Sequence, residues 1–382
     1  MTDDPPPNPA LLPAGLRDLL PPDAETEAAS VETLMATFAA HGYQRVKPPL
    51  LEFEDGLLAG TGAATAEQTF RLMDPESHRM MGLRADMTPQ VARIATSRLA
   101  HAPRPLRLCY AGQCLRVRAT HLAPDRQLAQ AGIELIGADS PAADAEMVLV
   151  GAEALAALGL TRVSFDLTLP PLVPALIETA GIPPDRRAPL ARALDRKDAA
   201  AVGLLGGVLA GTLTDLLLAA GAADRALAAL AAASLPAAAA GLADRLAATV
   251  AAIRARAPDL KLTVDPVEFR GFRYHMGVCL TVYAPGRHEE LGRGGRYLCG
   301  EAEPATGLTL YPDAILRAAP PRHPRPRLYL PAGEAGAALR REGFATVAGL
   351  APVADARAEA LRLGCTHFLH EGVPVLLAPE DD

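Results

Sequence analysis

The segment between Lys261 and Ala318 restricts the fold more than any other part of the chain. KLTVDPVEFRGFRYHMGVCLTVYAPG, EELGRGGRY and LTLYPDAILRA follow one another as strand-like stretches, rich in β-branched and aromatic residues and punctuated by Gly and Pro. Strands grouped in this way pair antiparallel, and the helices of such a chain collect in separate segments, so the pattern predicts an α+β domain. The 382 residues are ample for one large core with appended parts. With 4% aromatics and no Trp, that core has to be built from closely packed Ala, Leu and Val.

The rest of the chain supplies the helices. Residues 1–12 are acidic and proline-rich and read as a flexible arm. Asp23 is placed to cap a helix with Glu25 and Glu27 in its first turn, a buried stripe of Val31, Leu34, Met35 and Phe38, and Gly42 at its end. A short strand is expected at Tyr43 to Val46, halted by Pro48 and Pro49. From Thr69 to Arg84 the pattern gives two strands around a turn at Asp74-Pro75-Glu76-Ser77, leading LRADMTPQVARI into a helix near Thr88. Ala142 to Leu158 reads as an amphipathic helix and Val163 to Leu167 as a strand. The alanine-rich residues 172–258, where Leu242, Leu246, Val250 and Ile253 mark one face, read as an inserted helical subdomain. The main domain spans 13–322. After the hinge PPRHPRPR, residues 325–382 alternate β and α and form a small separate α/β unit.

Charge and cysteine content remove several functions. A net charge of −7 and a pI near 5.8 give no broad electrostatic footprint for RNA or DNA. Five cysteines without CxxC spacing fit a reducing cytoplasm rather than a disulfide framework. The N-terminus has neither a basic start nor an apolar signal core, and no uninterrupted apolar run is long enough for a membrane, so a soluble cytoplasmic protein is expected.

LRVRATHLAPDRQLAQAGIELIG, Leu115 to Gly137, forms two alternating segments around a Pro-Asp loop. Arg116, Arg118 and Arg126 present cationic forks, while Gln130 and Glu134, at even spacing, face one side of a strand. This suits a zwitterionic ligand. Taken alone, the stretch describes a solvated hairpin with weak surface ion pairs slightly better than a site.

The order of these residues, an arginine at a strand end, a loop, then RQ, Q and GxELIG, resembles motif 2 of class II aminoacyl-tRNA synthetases of the histidyl branch. LLPAGLRDLLPPD resembles the opening motif of that branch, LRADMTPQVAR its segment with arginine, carboxylate and threonine, FRGFRYHMG its arginine-glycine-tyrosine motif, and GRGGRY its glycine-rich strand. The resemblance runs in order over about residues 13–318 and implies a class II synthetase-like antiparallel sheet flanked by helices. It implies a histidine pocket at Asp86, Thr88, Gln130 and Glu134, with Arg116 and Arg270 on the carboxylate side and Tyr274 and His275 near the imidazole. Such residues suit histidine, whose ammonium needs acidic or hydroxyl acceptors and whose carboxylate needs an arginine fork. ELGRGGRYLCG is not a P-loop, because no GK[ST] follows, and the aspartate of the synthetases is Leu298 here.

Two further departures alter the implied function. The motif 2 glutamate that helps hold the nucleotide is replaced by Arg118, and the motif 3 arginine by Ala314, with Tyr311 and Pro312 where the synthetases have glycine and leucine. A methyl group cannot stabilise a triphosphate. Residues 325–382 hold six basic and eight acidic residues and are shorter than an anticodon-binding domain. A kept amino-acid pocket, a lost ATP site and a reduced tail resemble the regulatory subunits of ATP phosphoribosyltransferase, the first enzyme of histidine biosynthesis. That resemblance implies a non-catalytic partner of the short-form catalytic subunit, a homodimer whose axis uses the Tyr43 to Pro49 region, and L-histidine as effector. It implies no catalytic residue, metal, cofactor or tRNA. A working histidyl-tRNA synthetase and a related amino-acid ligase are the alternatives, and Arg118 and Ala314 count against both.

Overall fold

The computed structural model describes residues 11–119, 125–268, 275–300, 302–321 and 324–377. It divides into two compact units, Met1–Pro320 and Pro321–Asp382. The first ten residues of the expected arm, Arg270 and Tyr274 lie outside the described residues.

The first unit opens with helix α1 (Asp23–Ala40), followed by strands β1 (Gln44–Arg45) and β2 (Leu51–Phe53) and the short helix α2 (Glu54–Leu57). A strand pair, β3 (Phe70–Met73) and β4 (Met80–Leu83), leads into helix α3 (Thr88–Thr96). The long hairpin β5 (Leu106–Leu115) and β6 (Gln127–Ile136) follows, then helix α4 (Pro141–Ala156) and strand β7 (Ser164–Thr168). The helical insertion comprises α5 (Leu172–Thr179), α6 (Pro184–Asp195), α7 (Ala199–Leu205), α8 (Ala210–Ala219), α9 (Ala223–Ala232) and α10 (Ala237–Arg256), with a two-residue strand β8 (Gly221–Ala222) between α8 and α9. Strands β9 (Lys261–Asp265), β10 (Cys279–Tyr283), β11 (Glu290–Cys299) and β12 (Glu303–Leu310) and helix α11 (Pro312–Ala318) complete the unit.

Nine strands form one sheet in the order β1-β5-β6-β12-β11-β10-β7-β9-β8. From β5 to β7 every pairing is antiparallel; β1 with β5 and β7 with β9 are parallel, so the sheet is antiparallel at its centre and mixed at its edges. Strands β2, β4 and β3 make a separate small sheet. One face of the large sheet is apolar: Ile133, Leu135, Leu308 and Leu310 are buried in a cluster with α4 residues such as Val148 and Leu155. Gly151 permits the close approach of α4, since a Cβ there would stand 2.4 Å from Leu308.

One local detail departs from the sequence reading. Asp23 does not cap α1: Pro22 holds the cap position without a side-chain bond, and Asp23 is the first helical residue, where its charge still favours the positive end of the helix dipole. α4 packs between the sheet and α10, with Ala142, Glu146, Leu149, Glu153 and Ala156 along its less buried side, as the amphipathic reading expected. The turn between β3 and β4 is held by Asp74, which accepts from the backbone of Glu76 and Ser77 at 3.3 and 3.2 Å.

The second unit contains β13 (Arg327–Leu330), α12 (Ala337–Arg341), β14 (Ala345–Ala348), α13 (Ala356–Arg362), β15 (His367–His370) and β16 (Val373–Leu376). Its sheet order is β14-β13-β15-β16. β13 pairs in parallel with β14 and β15 around the buried Tyr329, and the antiparallel edge strand β16 follows a turn at Glu371-Gly372.

Candidate functional site

The other face of the sheet centre carries the site. Because side chains alternate along a strand, Gln130, Gly132 and Glu134 on β6 point to one face. Their partners across the ladder share it: Gly307 and Thr309 on β12, opposite Glu134 and Gly132, and Gly295 and Arg293 on β11, opposite Gly307 and Thr309. The glycines make room in this face. A Cβ on Gly307 would lie 1.9 Å from a Glu134 carboxylate oxygen, and one on Gly132 would run into the Tyr110 ring at 2.5 Å. The pocket so formed is lined by Asp86, Thr88, Gln130, Glu134 and His275 together with Arg293, Tyr297, Thr309 and Tyr311.

Glu134 is its centre. The residue is wholly buried, yet its carboxylate accepts from three hydroxyls: Thr88 at 3.0 Å, Tyr110 at 3.2 Å and Tyr297 at 2.9 Å. Burial pushes its pKa up to about 8 with help from nearby Asp86, while the three hydroxyls pull the other way. A buried acid this well solvated by fixed dipoles and this short of a cation is suited to meet one brought by a ligand. Gln130 is held by the Met87 backbone N–H, which donates to its Oε1 at 3.0 Å, and Asp86 accepts from the Thr88 N–H at 3.2 Å. Asp86 therefore braces the start of α3 and lines the pocket at once. His275 is pushed down to about 3 by burial and by the charge of Arg293, which makes it a neutral imidazole at pH 7.

Five of the eight residues singled out from sequence, Asp86, Thr88, Gln130, Glu134 and His275, thus line one pocket. Arg116 is not among the lining residues; its Nε is buried without a hydrogen-bond partner among the described residues, and its backbone N–H donates to Arg126 O at 2.7 Å. Arg270 and Tyr274 lie outside the described residues. Sequence reasoning missed Tyr110, Arg293, Tyr297, Thr309 and Tyr311. The signal that would have found four of them is the same alternation: 293 and 297 flank Gly295, and 309 and 311 continue from Gly307.

Charged side chains cluster at the start of α11, the segment the resemblance assigns to the nucleotide in the synthetases. Asp313, in the first turn of α11, accepts from the Ala129 N–H at 3.0 Å and from Arg17 at 3.3 Å, and Arg17 also faces Asp125 at 3.7 Å. Ala314 is buried and offers no donor. Ala314 thus gives α11 no side-chain donor for a triphosphate. The pure protein is therefore expected to show no histidine-dependent exchange of pyrophosphate with ATP above background, as measured with labelled pyrophosphate. Robust exchange would mean that other residues bind the nucleotide.

Fold and site together define a class II synthetase-like domain with a pocket on one face of its central sheet. The histidyl-tRNA synthetase family model matches residues 15–315. The ATP phosphoribosyltransferase regulatory subunit of Gluconobacter oxydans (strain 621H) is 57% identical over 369 residues, covering 96% of this chain and 97% of that one. That of Paramagnetospirillum magneticum is also 57% identical, over 95% of this chain and 96% of its own. A crystal structure of an ATP phosphoribosyltransferase regulatory subunit/histidyl-tRNA synthetase from Bacillus halodurans C shares the fold with a TM-score of 0.79 at 23% identity, covering 94% of this chain and 97% of that chain. The chain belongs to the ATP phosphoribosyltransferase regulatory subunits, a branch with the histidyl-tRNA synthetase fold. It is a regulatory subunit with a catalytic partner, not an aminoacylating enzyme.

Proposed function

We propose that this subunit joins the short-form catalytic subunit of ATP phosphoribosyltransferase, raises its activity, and carries the histidine sensor of the complex. The observation that bears most weight is the buried Glu134, ringed by hydroxyl donors and set in a pocket with Asp86, Thr88 and Gln130. Glu134 and Asp86 take the ammonium or imidazole of histidine. Arg116 and Arg270 take its carboxylate, and Tyr274 and His275 complete the surroundings of the ring. A cytoplasmic protein with no tRNA to bind agrees with the charge of the second unit and with the absence, among the described residues, of any helix long and apolar enough to cross a membrane. Co-purification with the catalytic subunit, and its loss of activity when the two are separated, tests the reading directly. A catalytic subunit that neither binds this chain nor responds to it would defeat it.

The same reading includes a homodimer of the first unit. In support, the small sheet β2-β4-β3 leaves Phe53, Leu72, Met73 and Met80 exposed, between 37% and 60% each, close in sequence to the Tyr43 to Pro49 region. Sedimentation of the isolated subunit should show a dimer at micromolar concentration. A monomer at every concentration would remove the two-fold arrangement.

A further inference from the structure

One row of the pocket face is built around a tyrosine that crosses a glycine. Tyr110 on β5, Gly132 on β6 and Thr309 on β12 stand side by side in the ladder. A Cβ on Gly132 would lie 2.5 Å from the Tyr110 ring and its hydroxyl, so the ring lies over β6 and delivers that hydroxyl to the third strand. It comes within 2.8 Å of Thr309 Oγ1, 3.2 Å of Glu134 Oε1 and 3.3 Å of Thr88 Oγ1. The supply of protons fixes the direction of these bonds. Thr88 and Tyr110 have one hydroxyl proton each, and both give it to Glu134 when that residue is ionised. The proton between Tyr110 and Thr309 is then that of Thr309, and the hydroxyls form a chain from Thr309 through Tyr110 to Glu134. Tyr110 and Thr309 are both buried. A chain that ends on a charge is stronger than the same chain between neutral groups, so this one favours the carboxylate over the acid.

We infer that Tyr110 and Thr309 form a positioning relay for Glu134: Tyr110 holds it in the ionised form that meets a ligand cation, and Thr309 acts through Tyr110. The inference rests on Glu134 receiving the cation of histidine, as proposed above. The other groups that face Glu134 are accounted for. Asp86, at the start of α3, opposes its ionisation by repulsion, and Tyr297 on β11 donates to its other oxygen at 2.9 Å. Cys299 on the same strand is a neutral thiol, and burial keeps His275 neutral. Arg293 is engaged by Glu290 at 2.7 Å.

The test sets wild type beside Tyr110→Phe, Thr309→Val, Thr309→Ser and the Phe/Val double variant of the full chain. Each is read by calorimetric titration with histidine and by ligand-free melting, from pH 4.5 to 9. Tyr110→Phe should bind histidine about tenfold more weakly than wild type at pH 7 and only about twofold more weakly at pH 9, where Glu134 ionises without the relay. Titration of histidine itself is common to both proteins and cancels in the ratio. In the empty pocket the lost donor makes ionised Glu134 costlier still, so between pH 4.5 and 9 Tyr110→Phe should lose about 2 to 4 °C more in melting temperature than wild type. Thr309→Val should move both readouts the same way by less, Thr309→Ser should match wild type, and Thr309→Val should add nothing once the Tyr110 hydroxyl is gone. A Tyr110→Phe deficit of one factor at every pH marks a packing role and overturns the relay, as does a Thr309→Val effect that persists in the double variant. If Tyr110→Phe does not fold, identical pH profiles for Thr309→Val and Thr309→Ser overturn it instead. Wild type without affinity for histidine overturns the pocket reading, while the melting profiles still decide whether the relay acts on Glu134.

Discussion

Glu134→Gln is expected to bind histidine at least about tenfold more weakly than wild type and, at the same time, to make the ligand-free protein more stable above neutral pH. The first effect follows from charge. Hydrogen bonds to ionised groups contribute roughly 1.5 to 3 kcal/mol each, and roughly 1.4 kcal/mol is one decade in affinity. The amide keeps the shape of the side chain and loses its charge. Arg118→Ala, at an exposed position on the nucleotide side, should change histidine affinity little. If the Gln variant bound as tightly as wild type while Arg118→Ala lost binding, the ligand would lie elsewhere on the hairpin.

The second effect follows from the direction of the Glu134 shift. Burial raises its folded pKa to about 8, above the ordinary carboxyl value of 4.5. The stabilisation from its neutral form is complete below about pH 4.5 and is lost as the pH rises through the folded value near 8, because the unfolded chain ionises first. Glu134→Gln has no such loss. Its melting temperature should match that of wild type near pH 4.5 and exceed it by several degrees at pH 8 to 9, a difference on the order of a few kcal/mol. Histidine binding by wild type near pH 7 should release a proton as the arriving cation draws Glu134 into its ionised form, seen as a dependence of the calorimetric heat on the buffer used. Parallel melting profiles from pH 4.5 to 9, or binding without proton release, would show that Glu134 is already ionised in the empty pocket.

The legible and illegible parts of this molecule differ in physical kind. Periodicity located α1, the β3–β4 turn, the long hairpin and α10, the last helix of the insertion, since each is set by local spacing and turn chemistry. It could not show that β1 pairs in parallel with β5 and β9 with β7, or that β2, β3 and β4 leave the large sheet for one of their own, because strand order is a long-range property. In the site, Gln130 and Glu134 were legible from their even spacing. The shell that tunes Glu134 was not, since Tyr110 and Tyr297 reach it only through the ladder register that sets Gly132 beside Tyr110 and Gly307 beside Glu134. Arg116 marks the opposite case, a residue named by resemblance whose buried Nε among the described residues has no bond of its own.

Adding this subunit to the short catalytic subunit should raise its phosphoribosyl-transfer rate several-fold or more, and histidine should then lower the rate of the complex. The chain belongs to the regulatory, not the catalytic, subunits of ATP phosphoribosyltransferase. Its effect has to pass through differential binding, by favouring the active state of the partner when the pocket is empty and a less active state when histidine fills it. Coupling between sites is typically about 1 to 3 kcal/mol, which corresponds to roughly 5- to 150-fold in affinity between states. Reciprocity then fixes a companion result: histidine should bind the complex with an affinity different from that of the isolated subunit, by the same factor with which it shifts the assembly equilibrium. Arg296, which adjoins Tyr297 on β11, pairs on the opposite face with buried Asp144 of α4 at 2.7 Å, and Asp144 also binds Arg245 of α10 at 3.2 Å. These pairs join the pocket strand to the helical insertion through one buried carboxylate. Breaking one partner of a buried ion pair leaves the others uncompensated, so Arg245→Met should reduce inhibition by histidine more than it reduces histidine binding to the isolated subunit. Steady-state rates of the reconstituted complex, with and without histidine, set beside titrations of the free subunit, decide the matter. A catalytic subunit equally active and equally inhibited on its own would leave this chain no regulatory role.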